Sequence, residues 1–176
     1  MKKSSLILLL LVISFFVSAQ NNQKITLEDL FVKGTFREQS VSGLNSMNDG
    51  EHYTTLESRG TRIVKYSYKT GQEVEVVFDI TKIPRAPITG FQDYEFSADE
   101  TKILFTTDIQ QKYRHSYTAQ YYVWNSVTKE LTALSEKGAQ QLATFSPDGD
   151  RVAFVRENNL FIKNLRFGSE SQVTFD

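Results

Sequence analysis

The chain contains no cysteine, and that absence removes several kinds of chemistry. Disulfide bonds, thiol nucleophiles and cysteine-based zinc sites are excluded, so an exported form of the chain must depend on packing or on partner segments for stability. Histidine is scarce as well: His52 and His115 stand far apart and have no ligand-type spacing. We therefore expect no metal site and no cofactor.

An excess of charge of either sign is also missing. The formal net charge is −1, with 20 Lys and Arg against 21 Asp and Glu, and the two signs are interspersed along the chain. No segment resembles the basic face of a nucleic-acid-binding protein or a polybasic membrane segment. We expect no nucleic-acid partner.

Only the N-terminus carries a sustained apolar run. Lys2 and Lys3 precede an apolar stretch over residues 6–17, and the small residues Ser18 and Ala19 follow it. The stretch is shorter than the roughly 20 residues that a membrane-spanning helix needs. The pattern predicts a secretory signal peptide over residues 1–19 and export to the periplasm or the cell surface, with an uncleaved N-terminal anchor as the alternative.

Residues 20–44 are predicted to form an N-terminal segment with one short helix. Thr26 can cap this helix through its hydroxyl, Asp29 stands at the third helical position, and Gly34 offers a stop. Beyond Gly34 no convincing helical periodicity appears, and aromatic and β-branched residues gather in short runs between polar turns. This pattern is typical of β-structure.

A repeated turn motif divides the β-rich part. Residues 97–100 (Ser-Ala-Asp-Glu) and 146–149 (Ser-Pro-Asp-Gly) each precede an apolar strand-like run, and residues 46–50 are a weaker copy. The aspartate of such a turn can accept backbone N–H bonds, and Gly149 tolerates a positive φ. A spacing of about 50 residues with several short strands per repeat is the signature of a β-propeller.

The fold class predicted for residues 45–176 is all-β, a partial β-propeller of about three blades, each a four-stranded antiparallel sheet; a β-sandwich is the alternative. The strands predicted for the second and third blades are 93–96, 102–107, 117–125 and 130–134, then 141–145, 151–156, 159–164 and 171–174. Propellers close with roughly four to eight blades. Since the sequence also stops within a strand-like pattern, we expect a piece of a longer protein that is marginally stable alone.

The stretch Tyr113-Arg114-His115-Ser116-Tyr117 stands between two strand-like runs. From residue types alone, Arg114 is either a solvated residue of an exposed hairpin or an arginine held at the rim of a sheet, where it could bind a carbonyl or a carboxylate. His115 and Ser116 do not predict a catalytic dyad, because neighbouring residues of a strand point to opposite faces.

This stretch, taken with residues 26–30, 35–37 and 146–149, resembles the N-terminal β-propeller region of the dipeptidyl peptidase IV-like members of the prolyl oligopeptidase family, in particular bacterial ones. The resemblance implies an exported serine-type exopeptidase that releases Xaa-Pro and Xaa-Ala dipeptides from peptides with a free N-terminus. It further implies a homodimeric parent whose C-terminal α/β-hydrolase domain carries the catalytic triad.

In that family the arginine of the Arg-His-Ser-Tyr motif binds a backbone carbonyl of the substrate, and by position this residue is Arg114. No catalytic residue is expected within this chain, because the sequence holds no Gly-x-Ser-x-Gly nucleophile elbow. The resemblance therefore implies an inactive fragment whose propeller gates and helps to bind the substrate.

Two other functions remain open. A non-enzymatic exported propeller, similar to TolB-type scaffolds, would bind protein partners through its central funnel or rim. A glycan-binding propeller would stack sugars on aromatic rings, although Trp124 lies in an alternating strand where ordinary packing accounts for it. The residue that distinguishes these functions is Arg114, since a scaffold has no need of an Arg-His-Ser-Tyr insertion.

Overall fold

The computed structural model describes residues 24–37 and 43–175, so the signal peptide predicted over residues 1–19 lies outside the described residues. Two compact units are distinguished, one within residues 1–40 and one within residues 41–176. The described elements, in chain order, are α1 (Leu27–Phe31), β1 (Asn45–Ser46), β2 (His52–Glu57), β3 (Arg62–Ser67), β4 (Glu73–Asp79), a 3-10 turn (Ile80–Lys82), β5 (Asp93–Phe96), β6 (Lys102–Tyr113), β7 (Ser116–Asn125), β8 (Glu130–Ala133), β9 (Gln141–Phe145), β10 (Arg151–Arg156), β11 (Asn159–Asn164) and β12 (Glu170–Gln172).

The short helix of the first unit begins as predicted. Thr26 Oγ1 accepts a hydrogen bond from the Asp29 backbone N–H at 3.1 Å, and the Asp29 carboxylate accepts one from the Thr26 backbone N–H at 3.1 Å. This reciprocal capping box satisfies two N–H groups that the first helical turn leaves free. The helix ends at Phe31, earlier than the stop predicted at Gly34.

The described part of the second unit consists of three four-stranded antiparallel sheets, in which strand order follows the sequence: β1–β4, β5–β8 and β9–β12. We call them blades 1, 2 and 3. An all-β partial propeller with four strands per blade was predicted from the repeat, and the structure confirms it.

The strand bounds predicted for blades 2 and 3 agree closely with the structure, and those of β5, β9, β10 and β11 coincide with it. The prediction that β6 ends at residue 107 is wrong, because the strand continues to Tyr113. Residues 108–112 are mostly polar and lack apolar alternation, so the pairing that extends them was not visible in the sequence. The strand predicted at 171–174 is also displaced, since β12 covers Glu170–Gln172.

The repeated turns join the first strand of a blade to the second and share one hydrogen-bond pattern. Ser97 Oγ donates to Asp99 Oδ1 at 2.6 Å and accepts from the Lys102 backbone N–H at 2.9 Å. In blade 3, Ser146 makes the corresponding bonds to Asp148 at 2.5 Å and from the Arg151 N–H at 3.0 Å. In each turn the serine hydroxyl bridges the aspartate side chain and a backbone N–H at the start of the next strand. The Ser-x-Asp spacing therefore determines the hydrogen bonds of the turn.

Apolar side chains fill the spaces between neighbouring blades. Leu104 and Phe105 are consecutive in β6 and point to opposite faces, so this strand contributes to two clusters. One cluster packs blade 1 against blade 2, and the other packs blade 2 against blade 3. Their buried members include Ile63, Phe78, Phe91, Tyr94, Phe105 and Trp124 in the first, and Leu104, Tyr121, Leu134, Val152, Phe154 and Phe161 in the second.

Candidate substrate-binding hairpin

Strands β6 and β7 form a hairpin that extends well beyond blade 2. They contain 12 and 10 residues, whereas the neighbouring β5 and β8 have 4 each. Strand β5 accompanies β6 only as far as the pair Asp93↔Thr106, but the pairing of β6 with β7 continues to Tyr113↔Ser116. Residues 108–118 therefore form a two-stranded projection, which we call the ribbon.

A β-bulge separates the ribbon from the sheet. Thr107 pairs with Gln120 and Gln110 pairs with Thr118, so two residues of β6 oppose one residue of β7. The first of these two, Asp108, has a φ of 52°, in the left-handed region. Such a bulge bends its strand and increases the local twist, and this one lies where the ribbon leaves the sheet.

The base of the ribbon is anchored by Gln140, whose side chain is completely buried. Ala119 and Gln140 exchange two backbone hydrogen bonds, each of 2.8 Å. The Gln140 side chain accepts from the Tyr121 backbone N–H at 3.3 Å and donates to the Gly138 carbonyl. Gln140 thus ties β7 to the connection between blades 2 and 3 with both ends of its amide satisfied.

Two tyrosines stand where the ribbon meets blade 3. Tyr117 of the ribbon and Tyr121 of β7 line one cleft together with Ala143 of β9. Burial, followed by the influence of the Tyr117 hydroxyl, raises the pKa of Tyr121. The phenol therefore stays protonated throughout the neutral range.

A cleft of about 310 Å³ lies beside these tyrosines, at strands β5 and β9. Two carboxylates, Asp93 and Glu95, line it together with Thr106 and Thr144. Burial raises the pKa of Glu95, and the charge of Asp93 raises it further. The Thr144 hydroxyl acts in the opposite direction and lowers this pKa. Across residues 24–37 and 43–175 we find no group of three or more His, Cys, Asp or Glu side chains that could hold a metal ion.

The tip of the ribbon is a two-residue turn made by Arg114 and His115, since Tyr113 and Ser116 are the last paired residues. Neither turn residue has a positive φ, so this is not one of the primed turns that usually close such hairpins. The side-chain amide of Gln111 donates to the carbonyl of Tyr113 and, at 3.4 Å, to the carbonyl of Arg114. A neighbouring side chain therefore holds the backbone of this turn.

Arg114 is exposed, and its guanidinium forms no ion pair with any residue that the structure describes. Its N–H donors are available to an acceptor from outside these residues. No hydrogen bond joins His115 to Ser116 in the described ribbon, and the absence of a catalytic dyad stays a prediction. Gln111 and Gln140 could not be predicted from the sequence, because each stands in a Gln-Gln pair that carries no distinguishing signal.

The chain matches a known family from the turn of blade 2 onward, through β6, the ribbon, β7 and β8, to blade 3. Residues 97–176 match the family model described as the dipeptidyl peptidase IV (DPP IV) N-terminal region. This part of the chain is a dipeptidyl peptidase IV N-terminal region. The match includes Arg114 and every residue of the ribbon.

Relatives of this dipeptidyl peptidase IV region agree with the family model. A probable dipeptidyl peptidase 4 of Arthroderma benhamiae is 31% identical over 147 residues, which are 81% of this chain and 18% of the relative. A probable dipeptidyl-aminopeptidase B of Tuber melanosporum is 37% identical over 99 residues, which are 51% of this chain and 11% of the relative.

A solved structure extends the agreement to the fold. The crystal structure of Porphyromonas gingivalis dipeptidyl peptidase 4 superposes with a TM-score of 0.75 and 41% identity, covering 88% of this chain and 22% of that one. The chain thus spans about a fifth of the length of the dipeptidyl peptidase 4 proteins that it matches. The bacterial origin expected from the sequence stays a prediction.

No helix in the described ranges combines the length and the apolar character that crossing a membrane requires.

Proposed function

We propose that this chain is the propeller part of an exported serine exopeptidase that removes Xaa-Pro and Xaa-Ala dipeptides from the N-termini of peptides. One observation carries the proposal: Arg114 stands at the exposed tip of a projecting ribbon, within the dipeptidyl peptidase IV region, and has no intramolecular ion pair among the described residues. A solvated surface arginine would not need a dedicated projection.

The chemistry of Arg114 suits the recognition of a peptide backbone. Its guanidinium is permanently charged and presents several N–H donors in a fixed plane, so it can donate to a substrate carbonyl oxygen. A charge-assisted hydrogen bond of this kind contributes roughly 1.5–3 kcal/mol. The ribbon gives this donor a defined place from which it can orient the substrate.

We assign the catalytic half of the enzyme to the remainder of the parent protein. In this proposal an α/β-hydrolase domain supplies the serine nucleophile, and the parent acts as an exported homodimer. The 176-residue sequence has no Gly-x-Ser-x-Gly motif, and we expect the isolated chain to show no peptidase activity. Turnover of a dipeptidyl substrate by the pure chain would contradict this assignment.

The test is the variant Arg114→Ala in the parent protein, assayed with Gly-Pro-p-nitroanilide. We expect kcat/KM to fall by more than about tenfold, because one charge-assisted bond to the substrate is lost. The matched control is Lys112→Ala, which removes an exposed positive charge from the same ribbon and should leave kcat/KM within about twofold, the size of an exposed charge effect. An unchanged kcat/KM in Arg114→Ala would remove Arg114 from the site.

A further inference from the structure

We propose that Gln111 is a positioning residue for Arg114, acting through the backbone of the turn from which the guanidinium projects. The inference rests on the proposed function of Arg114 and adds a residue that makes no contact with substrate. Its basis is the pair of hydrogen bonds that the Gln111 side-chain amide donates to the carbonyls of Tyr113 and Arg114.

The tip of the ribbon has few other means of holding its shape. Gln111 pairs with Tyr117 and Tyr113 pairs with Ser116, so Lys112 is an extra residue that interrupts the ladder just before the turn. Such an interruption leaves the bulged residue unpaired. The turn itself, with ordinary φ values at Arg114 and His115, does not match the twist of the flanking strands.

Packing does not hold the tip either. Tyr113 is 80% exposed, and Arg114 and His115 are exposed as well. Among the residues that the structure describes, Gln111 alone donates side-chain hydrogen bonds to the turn. Without that amide, the two carbonyls would bond to water and the position of the guanidinium would vary, which weakens an oriented contact with a substrate.

The neighbouring residue provides a matched control. Gln110 has the same side chain, is exposed, and pairs with Thr118 one step closer to the sheet. Adjacent strand residues point to opposite faces, so the Gln110 amide is directed away from the side on which Gln111 reaches the turn. Within the described ribbon its side chain makes no hydrogen bond.

The experiment compares Gln111→Met, Gln111→Lys and Gln110→Met in the full-length parent protein. Hydrogen–deuterium exchange is followed for the peptide over residues 113–117, and KM and kcat are measured with Gly-Pro-p-nitroanilide. We expect Gln111→Met to speed exchange at the tip and to raise KM about fivefold, the equivalent of one neutral hydrogen bond, with kcat nearly unchanged. Gln111→Lys keeps an N–H donor of similar reach and should restore the protection, whereas Gln110→Met should change neither quantity.

Two outcomes would overturn the proposal, and they are distinguishable. Unchanged exchange at residues 113–117 in Gln111→Met would show that the amide does not hold the turn, whatever Arg114 does. Faster exchange with an unchanged KM would show that the turn is held but that its order does not serve binding. If Arg114→Ala also left KM unchanged in that second case, the proposed function of Arg114 would fail with it.

Discussion

The hydroxyl of Tyr94, in the first strand of blade 2, donates a hydrogen bond to Thr54 Oγ1 in blade 1 at 2.8 Å. Both side chains are buried, with exposed fractions of 5% for Tyr94 and 0% for Thr54. The bond therefore joins the two blades within the buried part of their interface. Its loss would leave the threonine oxygen in a region that water does not reach.

Tyr94→Phe should lower the free energy of unfolding by about 1–2 kcal/mol, because a buried hydroxyl partner disappears while the ring remains. The control is Tyr68→Phe, whose hydroxyl bonds to Ser46 at 2.7 Å on a 44%-exposed side chain and can be replaced by water. Urea denaturation of the two variants gives the comparison. Equal losses in both would show that the contact between blades has no special role.

Gly60→Ala should destabilise the fold much more than Gly71→Ala. Both glycines have positive φ values, 85° and 66°, so each alanine incurs the left-handed strain of about 1–2 kcal/mol. A Cβ at Gly60 would additionally clash with the Phe91 carbonyl oxygen, whereas a Cβ at Gly71 would meet nothing within 4 Å. Thermal melts should show a clearly lower Tm for Gly60→Ala; similar Tm values for the two variants would contradict the close approach of the backbones.

Glu170→Ala should cost about 3 kcal/mol, the penalty for leaving one member of a buried ion pair alone. Arg156 Nη1 lies 2.9 Å from Glu170 Oε1, and the two side chains are only 8% and 11% exposed. Burial raises the pKa of Glu170, but the Ser135 hydroxyl and the Arg156 guanidinium beside the carboxylate outweigh it and hold the pKa below its usual value.

The control for this ion pair is Glu75→Ala, which removes an exposed carboxylate 3.7 Å from Lys65 and should cost no more than about 0.5 kcal/mol. Denaturant midpoints measure both losses. A loss in Glu170→Ala as small as that of the control would mean that the pair contributes no more than a surface contact.

Stability should fall in acid as the turn aspartates become protonated. Hydrogen bonds from Ser97 and Thr101 lower the pKa of Asp99 from 3.8 to about 2. Since the folded pKa lies below the unfolded one, the contribution of this carboxylate is present above about pH 4 and is lost as the pH falls toward 2.

The measurement is the Tm of wild type and Asp99→Asn between pH 7 and pH 2. Asp99→Asn should be less stable at neutral pH, and the difference should shrink toward zero near pH 2. Glu136→Gln, which alters an exposed carboxylate, should follow the wild-type profile. A Tm difference between wild type and Asp99→Asn that stays constant at all pH values would show that the stabilisation by Asp99 does not depend on its protonation.

Most strand bounds of blades 2 and 3 could be predicted, because residues close together in the sequence determine them. The Ser-x-Asp turns fix where β5 and β9 end, and the apolar run over residues 152–155 marks a strand that buries Val152 and Phe154. The extension of β6 beyond Thr107 could not be predicted, because its exposed polar residues are held by pairing with β7 and not by burial. The Gly60–Phe91 approach and the roles of Gln111 and Gln140 arise from contacts across the fold, which leave no local pattern.

The self-contained pairing of the ribbon has a consequence for how such proteins can diverge. Beyond the bulge at Asp108, the ribbon exchanges ladder bonds only between its own two strands until Ala119 meets Gln140. Adding or removing two residues on each strand would preserve which face each side chain takes, and blade 2 would keep its register. The distance between Arg114 and blade 2 can therefore change, in evolution or by design, while the propeller keeps its structure.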